Sequence, residues 1–320
     1  MGEPMPMKQA DGGPASIAVY VCTHRRNGPL AQMLGSLSVA AAKVQPSIEI
    51  AVVVVDDNPD GRATEVVDAF DPSCFLRGLH YRYSGAQNIS LARNTGLEAA
   101  VELAEWVAMT DDDQTVTEGW FAALAGMQRR TNADAVTGPV KLRYLDGAPD
   151  WLTSQPFGDI VEAAPQPDAA KMPVCSTGNS MLRSSFLRDH PDIRFRSDLG
   201  KVGGEDMVFY KAAVAAGLDA RFANEAVCYG EQPPERSTYR SVVRSCYWLG
   251  NTEFVTNFDS GDATRARMAL RAVRRLVEAI VRPASRLATG KSAQWRYTGA
   301  CLARTYGILV GVLGVRVAHK

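Results

Sequence analysis

Three consecutive carboxylates, Asp111-Asp112-Asp113, follow the apolar run 106–110, and a second acidic pair, Asp56-Asp57, closes a run that contains Val52-Val53-Val54-Val55. Carboxylates this crowded repel one another unless a cation or hydrogen-bond donors stand among them. A divalent ion suits the triplet. Mg²⁺ and Mn²⁺ favour oxygen ligands, and Mg²⁺ sites often use one or two carboxylates, leaving the other positions to water and phosphate oxygens. The plainer reading of the same residues is a helix N-cap with solvated acids ahead of Glu118. A further acidic pair, Glu205-Asp206, follows Gly203-Gly204 and precedes an apolar stretch. Asp in such a place commonly caps a first turn.

The elements that must position these groups follow from the hydrophobic pattern. Short β-branched runs alternate with amphipathic stretches, as in a mostly parallel sheet covered by helices. Strands are predicted over 17–22, 49–56, 79–83, 106–110 and 135–140, and helices over 30–42, 63–70, 89–103 and 119–130. Pro29 opens the first helix, and Asp56 through Gly61 is a strong turn signal. The acidic clusters therefore fall at the C-terminal ends of two strands, the edge where ligands bind in open α/β sheets. Residues 143–173 lack periodicity and are rich in Pro, Gly, Asp and Ala, which predicts a binding loop or lid. Beyond them, strands are expected over 174–182 and 220–229, with helices over 205–216, over 237–254 and through most of the tail.

Composition narrows the class. A chain of 320 residues that is 46% hydrophobic and 22% charged is neither collagen, coiled coil nor multispan membrane protein. It suits about two domains, or one large α/β domain with an appendage. The 35 basic and 35 acidic residues cancel, so no global field argues for nucleic acid, and Trp295 and Tyr297 are too few to make a stacking platform. The charge is unevenly spread. Residues 265–320 hold twelve Lys or Arg and one acid, Glu278, leaving 1–264 with a net −11. Arg265, Arg267, Arg271, Arg274, Arg275, Arg282 and Arg286 alternate with Met268, Leu270, Val273, Leu276, Val277 and Ile280. That is a basic amphipathic helix suited to an anionic membrane surface, with a helical cover for the sheet domain or a dimer contact as the alternative. The apolar segment 306–315 is too short to span a bilayer. Six cysteines without C-x-x-C or metal-finger spacing read as reduced thiols of a cytoplasmic protein. Residues 1–15 read as a flexible leader rather than a signal peptide. His80, His190 and His319 lie in no motif.

Taken in order, the motifs are recognisable: Val21-Cys22-Thr23-His24-Arg25-Arg26, Val55-Asp56-Asp57, Ala92-Arg93-Asn94-Thr95-Gly96 and Asp111–Asp113 come first. Thr177-Gly178-Asn179, Gly204-Glu205-Asp206-Met207-Val208-Phe209, and Pro233-Pro234-Glu235-Arg236 with Arg244 follow. Over residues 16–257 the chain resembles family 2 glycosyltransferases, inverting nucleotide-sugar enzymes of the GT-A fold, particularly bacterial members that build exopolysaccharides and other surface glycans. The resemblance implies a nucleotide-sugar-binding half, 16–142, an acceptor-binding and catalytic half of the same domain, 143–257, and a basic helical C-terminal region, 258–320. Cys22, Thr23, His24, Arg25, Asp57, Asn88, Arg93, Asp111 and Asp112 would then hold the nucleotide.

The Asp57 carboxylate suits the ring N–H of uracil or guanine, although an Asx-turn before Pro59 would use it too. His24 departs from the aromatic residue that commonly stacks there. The bland reading of Arg93 is an exposed helix residue. Asp113, Asp111 and Glu231 would hold a divalent metal, Mn or Mg, with Glu231 standing where many relatives carry a histidine. Asp206 would be the general base, Glu205 would hold the acceptor, and Thr177, Gly178, Asn179 and Gly204 would line the sugar or acceptor pocket.

The implied activity moves a sugar from a nucleotide sugar, UDP-linked in preference to GDP-linked, to a hydroxyl of a glycan or lipid-linked acceptor. The expected setting is the cytoplasm, peripherally on its membrane face. One alternative is a sugar nucleotidyltransferase, which usually carries a Gly-rich and basic phosphate loop, whereas residues 23–29 hold only Gly28. The other is an inactive membrane-associated scaffold, against which stand the intact acidic triplet and Glu205-Asp206.

Overall fold

Runs of Val and Ile that are apolar on both sides must be covered on both sides, and the structure, a computed structural model describing residues 13–145, 147–157 and 165–318, covers them with helices. The strands are β1 (Ser16–Thr23), β2 (Glu49–Asp56), β3 (Leu79–Tyr83), β4 (Trp106–Asp111), β5 (Gln114–Val116), β6 (Ala135–Thr137), β7 (Val140–Tyr144), β8 (Asn179–Arg183), β9 (Ala220–Phe222) and β10 (Cys228–Gln232). Seven form one sheet in the order β3-β2-β1-β4-β8-β6-β9, parallel except for β8, which runs against β4 and β6. Side chains alternate along β1. Val19 and Val21 join Leu30, Met33, Leu34 and Leu37 of α1 (Asn27–Ala42), while Ala18 and Tyr20 join Ala92 and Leu97 of α3 (Ile89–Leu103). A short helix α2 (Thr64–Ala69) precedes β3, and α4 (Trp120–Thr131) adds Trp120, Phe121 and Leu124 to the α1 side.

The mostly parallel α/β sheet is as expected, but four strands differ from the sequence reading. The predicted strand 135–140 is two strands, because Pro139 has no N–H to donate and Gly138 lets the Ala226 carbonyl approach where a Cβ would sit. The predicted strand 220–229 likewise breaks into β9 and β10, and the run 106–110 continues to Asp111 and then into β5. In each case the chain passes from the large sheet into a second sheet of order β5-β10-β7. Asp111–Asp113 occupies one of these corners. The strand expected from residue 174 begins only at Asn179, because 176–179 form a turn in which the Asn179 N–H donates to the Ser176 carbonyl, 3.2 Å.

The predicted loop 143–173 carries a short helix, α5 (Asp150–Thr153), and Leu152 and Phe157 pack with Val242, Cys246, Tyr297 and Ala300. After β8 come α6 (Ser184–Asp189) and α7 (Glu205–Ala215), then the tail helices α8 (Tyr239–Asp259), α9 (Arg265–Ala288) and α10 (Trp295–Val312). The α8 and α10 backbones approach closely, since a Cβ at Gly250 would strike the Arg304 backbone and one at Gly307 the Tyr247 carbonyl. Glu253 of α8 is bound by Arg271 and Arg275 of α9 and by Arg304 of α10. The six cysteines are free thiols. His80 bonds the Arg77 carbonyl and His190 lies against Phe186. Of the predicted leader, residues 1–12 lie outside the described residues, as do Asp146, 158–164 of the loop, and His319.

Candidate active site

The acidic triplet turns the corner between the sheets, and each carboxylate has its own partners. Asp112 is buried: it accepts from the Thr23 hydroxyl, 2.8 Å, and from Arg26 Nη1, 2.8 Å. Asp113 accepts from Arg26 Nη1, 2.9 Å, and from Arg236 Nη1, 2.8 Å, and its carbonyl receives the Glu231 N–H, 3.0 Å. Thus β10 brings Glu231 beside the triplet. Asp111 stands opposite Cys22 in the β1–β4 register and accepts from Gln114 Nε2, 3.3 Å. Enclosure by protein raises the Asp111 carboxyl, Arg93 pulls it down, and Asp113, Asp112 and Asp206 push it up again, leaving it at about 6. Its side chain keeps 41% of its surface open at the mouth of the site. Cys22 lies beneath, its thiol pushed up by burial and so held neutral.

Arg93 is buried, not the exposed helix residue of the bland reading. Its Nη1 donates to Glu205 Oε1, its Nη2 lies 3.4 Å from Asp111 Oδ1, and its guanidinium stands over the Phe195 ring at 5.8 Å. Burial pushes the Glu205 carboxyl up against the pull of Arg93. Glu205 Oε2 is buried without a hydrogen-bond partner among the described residues. Asp206 follows in the first turn of α7, half-buried, with its Oδ1 accepting the Met207 N–H, 2.7 Å. The two glycines before it have a different use from the one expected. Gly203 and Gly204 have φ +94° and +85°, and a Cβ would strike Trp248 at the first and Thr252 and Thr256 at the second. They let the turn lie on α8, so Gly204 is a packing position, not a pocket wall.

The predicted base-binding group adjoins this centre. The Asp57 N–H donates to the Thr23 carbonyl, 2.9 Å, and the His24 ring Nδ1 lies 3.0 Å from the Asp57 carbonyl. The Asp57 carboxylate accepts from Ser84 Oγ, 2.9 Å, and the Asn88 N–H, 2.7 Å. The Asx-turn reading belongs instead to Asp56, which accepts the Asn58 and Ala63 N–H groups. Asn88 caps α3, its Oδ1 accepting from Ser90 and Leu91. Arg25 adopts φ 58° and donates its N–H to Asn58 Oδ1, 2.7 Å. Thr177 is buried, and Gly178 lies against the triplet, where a Cβ would meet Asp111 Oδ2 and Gln114 Nε2. Asn179 does not line a pocket. It is wholly buried, accepting from Trp120 Nε1, 2.8 Å, and donating to the Pro139 and Ala226 carbonyls.

Three residues of this constellation were given no role from sequence: Arg26 and Arg236, which stand there only as parts of motifs, and Gln114. Arg26 carried a signal, since it ends the segment that leaves β1 at the ligand edge; Arg236 comes from 123 residues beyond Asp113 and carried none but its motif. Among the described residues, no three His, Cys, Asp or Glu side chains converge as a protein-only metal cage. A hard cation shared with a diphosphate requires no such cage, and the oxygen donors of Asp111 and Asp113 fit one. Burial first, and then the neighbouring Asp113, Asp112 and Asp206, raise the Asp111 carboxyl to about 6, and a cation would offset the repulsion among these carboxylates.

The model of the family described as "Glycosyl transferase family 2" matches residues 18–190. The succinoglycan biosynthesis protein ExoM of Rhizobium meliloti (strain 1021) is 33% identical over 239 residues, 74% of this chain and 73% of that protein. Two solved structures share the fold. The mannosyltransferase PcManGT from Pyrobaculum calidifontis, in complex with GDP-Man and Mn²⁺, aligns at TM-score 0.63 and 19% identity over 95% of this chain and 89% of that one. S. aureus TarS 1–349 in complex with UDP-GlcNAc aligns at 0.52 and 16% over 91% and 89%. In two other TarS structures this chain spans 65% and 39% of the matched chain. The GT-A architecture expected from the motifs is the architecture these structures share with the sheet described above.

Proposed function

This chain belongs to glycosyl transferase family 2, and from that membership we propose that it transfers a sugar from a nucleoside-diphosphate sugar to a hydroxyl of a glycan or lipid-linked acceptor, with inversion, in surface-polysaccharide synthesis. Membership sets aside the sugar nucleotidyltransferase. The observation that carries the rest is the convergence of the triplet, the Arg93–Glu205 pair and Asp206 at the C-terminal ends of β1 and β4. The polysaccharide setting is supported by the likeness to ExoM.

Direct displacement needs one carboxylate to take the acceptor's proton as its oxygen bonds to the sugar. Asp206 takes that role. It is half-buried in the first turn of α7, next to the Glu205 that Arg93 fixes. Glu205, fixed by Arg93 through Oε1, would hold the acceptor beside Asp206. Asp111 and Asp113, with Glu231 beside them, would hold Mn²⁺ or Mg²⁺, which supplies positive charge to a departing diphosphate. Arg26 and Arg236, both partly exposed, are placed to turn from Asp113 to phosphate oxygens. Thr23, His24, Arg25 and Asp57 receive the nucleoside. A base with a ring N–H next to a carbonyl, uracil or guanine, matches a carboxylate such as Asp57, with UDP the favoured carrier.

Thermal melting with UDP- and GDP-sugars in the presence of Mn²⁺, followed by assay of released nucleoside diphosphate, tests the reading. A true donor raises the melting temperature by mass action and yields its diphosphate. If no nucleotide sugar does either, the reading fails.

A further inference from the structure

Helix α9 turns its broad apolar face away from the protein. Its buried residues are Met268, Ala272, Ala279 and Pro283, a narrow stripe of mostly small side chains. Leu270, Val273, Val277, Ile280 and Val281 are 53–69% exposed. At 3.6 residues per turn these five share one arc, on the side away from the stripe. Arg267, Arg271 and Arg274 run along one border of that arc. Within that border Arg271 pairs with Glu253 and Arg274 with Glu278, and near the C-terminal end of α9 Arg282 lies on the Tyr297 ring at 4.4 Å and Arg286 Nε donates to the Ser292 carbonyl, 2.7 Å. Trp295, 66% exposed, follows the turn. No helix of the described residues is long and apolar enough to cross a membrane.

We propose that this face of α9 is a membrane-docking surface that lies in the headgroup region of a bilayer carrying anionic lipid, as a cytoplasmic leaflet does. The apolar arc enters the acyl boundary, Arg267 and Arg274, whose pair with Glu278 is exposed, meet the lipid phosphates, and Trp295 anchors at the level of the headgroups. Charge decides against a second copy of the chain as the occupant. A two-fold contact would set α9, whose seven arginines outnumber the Glu253 and Glu278 carboxylates paired with them, against itself, whereas anionic headgroups complement it. The inference does not rest on the reaction proposed above, although it would bring that site to a lipid-linked acceptor.

Flotation of the full chain with phosphatidylcholine vesicles, with and without phosphatidylglycerol, is the test. The chain is expected to float with the phosphatidylglycerol vesicles and to stay behind with phosphatidylcholine alone. The combined variant Val273→Ser, Val277→Ser, Ile280→Ser should lose about tenfold or more of that binding, and it should melt as the parent does because these side chains are already exposed. The proposal is overturned if the parent does not float, or if the variant floats as well as the parent. It is equally overturned if the parent is a dimer in solution that the variant splits, for the face is then an interface between copies. Donor-induced stabilisation is read separately, so neither outcome can be mistaken for failure of the proposed reaction.

Discussion

Arg93 and Glu205, 112 residues apart in the chain, form a buried ion pair beside Asp111. Through it α3 holds the first turn of α7 against the end of β4, so one guanidinium sets the spacing between the acidic triplet and the Glu205-Asp206 pair. Replacing Arg93 with Met leaves a carboxylate that is only 7% exposed without its counter-charge. The expected cost is about 3–5 kcal/mol of stability together with loss of transfer, and Arg93→Lys should recover part of both. Urea unfolding of the three proteins measures it; equal stability of parent and Arg93→Met would show that the pair holds nothing.

Asp206→Asn should separate chemistry from binding. The substitution keeps the shape of a side chain whose Oδ1 accepts the Met207 N–H, so the fold and the donor KM should be retained while kcat falls by about 10²–10⁴. Steady-state release of nucleoside diphosphate reads both constants. A variant with the parent's kcat removes Asp206 from the reaction.

The tail helices carry a pH dependence. Burial by itself would raise the Glu253 carboxyl, but Arg275 and Arg304, which both donate to it, hold it below its ordinary 4.5. A carboxyl lowered in the folded state stabilises above its unfolded pKa and ceases to do so as pH falls through the folded value. Glu253→Gln should therefore cost about 2–4 kcal/mol at neutral pH, and the gap to the parent should close below about pH 4. Melting temperatures across that range decide it, and a gap that does not change with pH would contradict the assignment.

What could be read from the sequence was whatever a local pattern dictates. Val52–Val55 announces a buried strand, and Asp56-Asp57 and Asp111–Asp113 announce the ligand edge because both end such runs. The three-residue strands β5, β6 and β9 are too short to show a period, and they are defined by passage between two sheets, which no single segment encodes. Gly203 and Gly204 advertised an unusual backbone, but its cause, Trp248, Thr252 and Thr256 of α8, lies more than forty residues on. Asn179 reads as a pocket amide until Trp120, Pro139 and Ala226 are seen to occupy it. Asn88 immediately before Ile89 did carry a local signal, that of an N-cap, and capping is the role its side chain has.

The central claim is that the acidic triplet binds nucleoside diphosphate through a divalent cation. Calorimetric titration of UDP and GDP into the full chain, with and without Mn²⁺, tests it most directly because no acceptor is needed. At least one of the two should bind with Mn²⁺ and much more weakly without it. Asp113→Ala should abolish the difference while melting as a folded protein, and Asp206→Asn should retain it. Binding of equal strength with and without Mn²⁺, or an Asp113→Ala protein that keeps the metal-dependent affinity, would contradict the account.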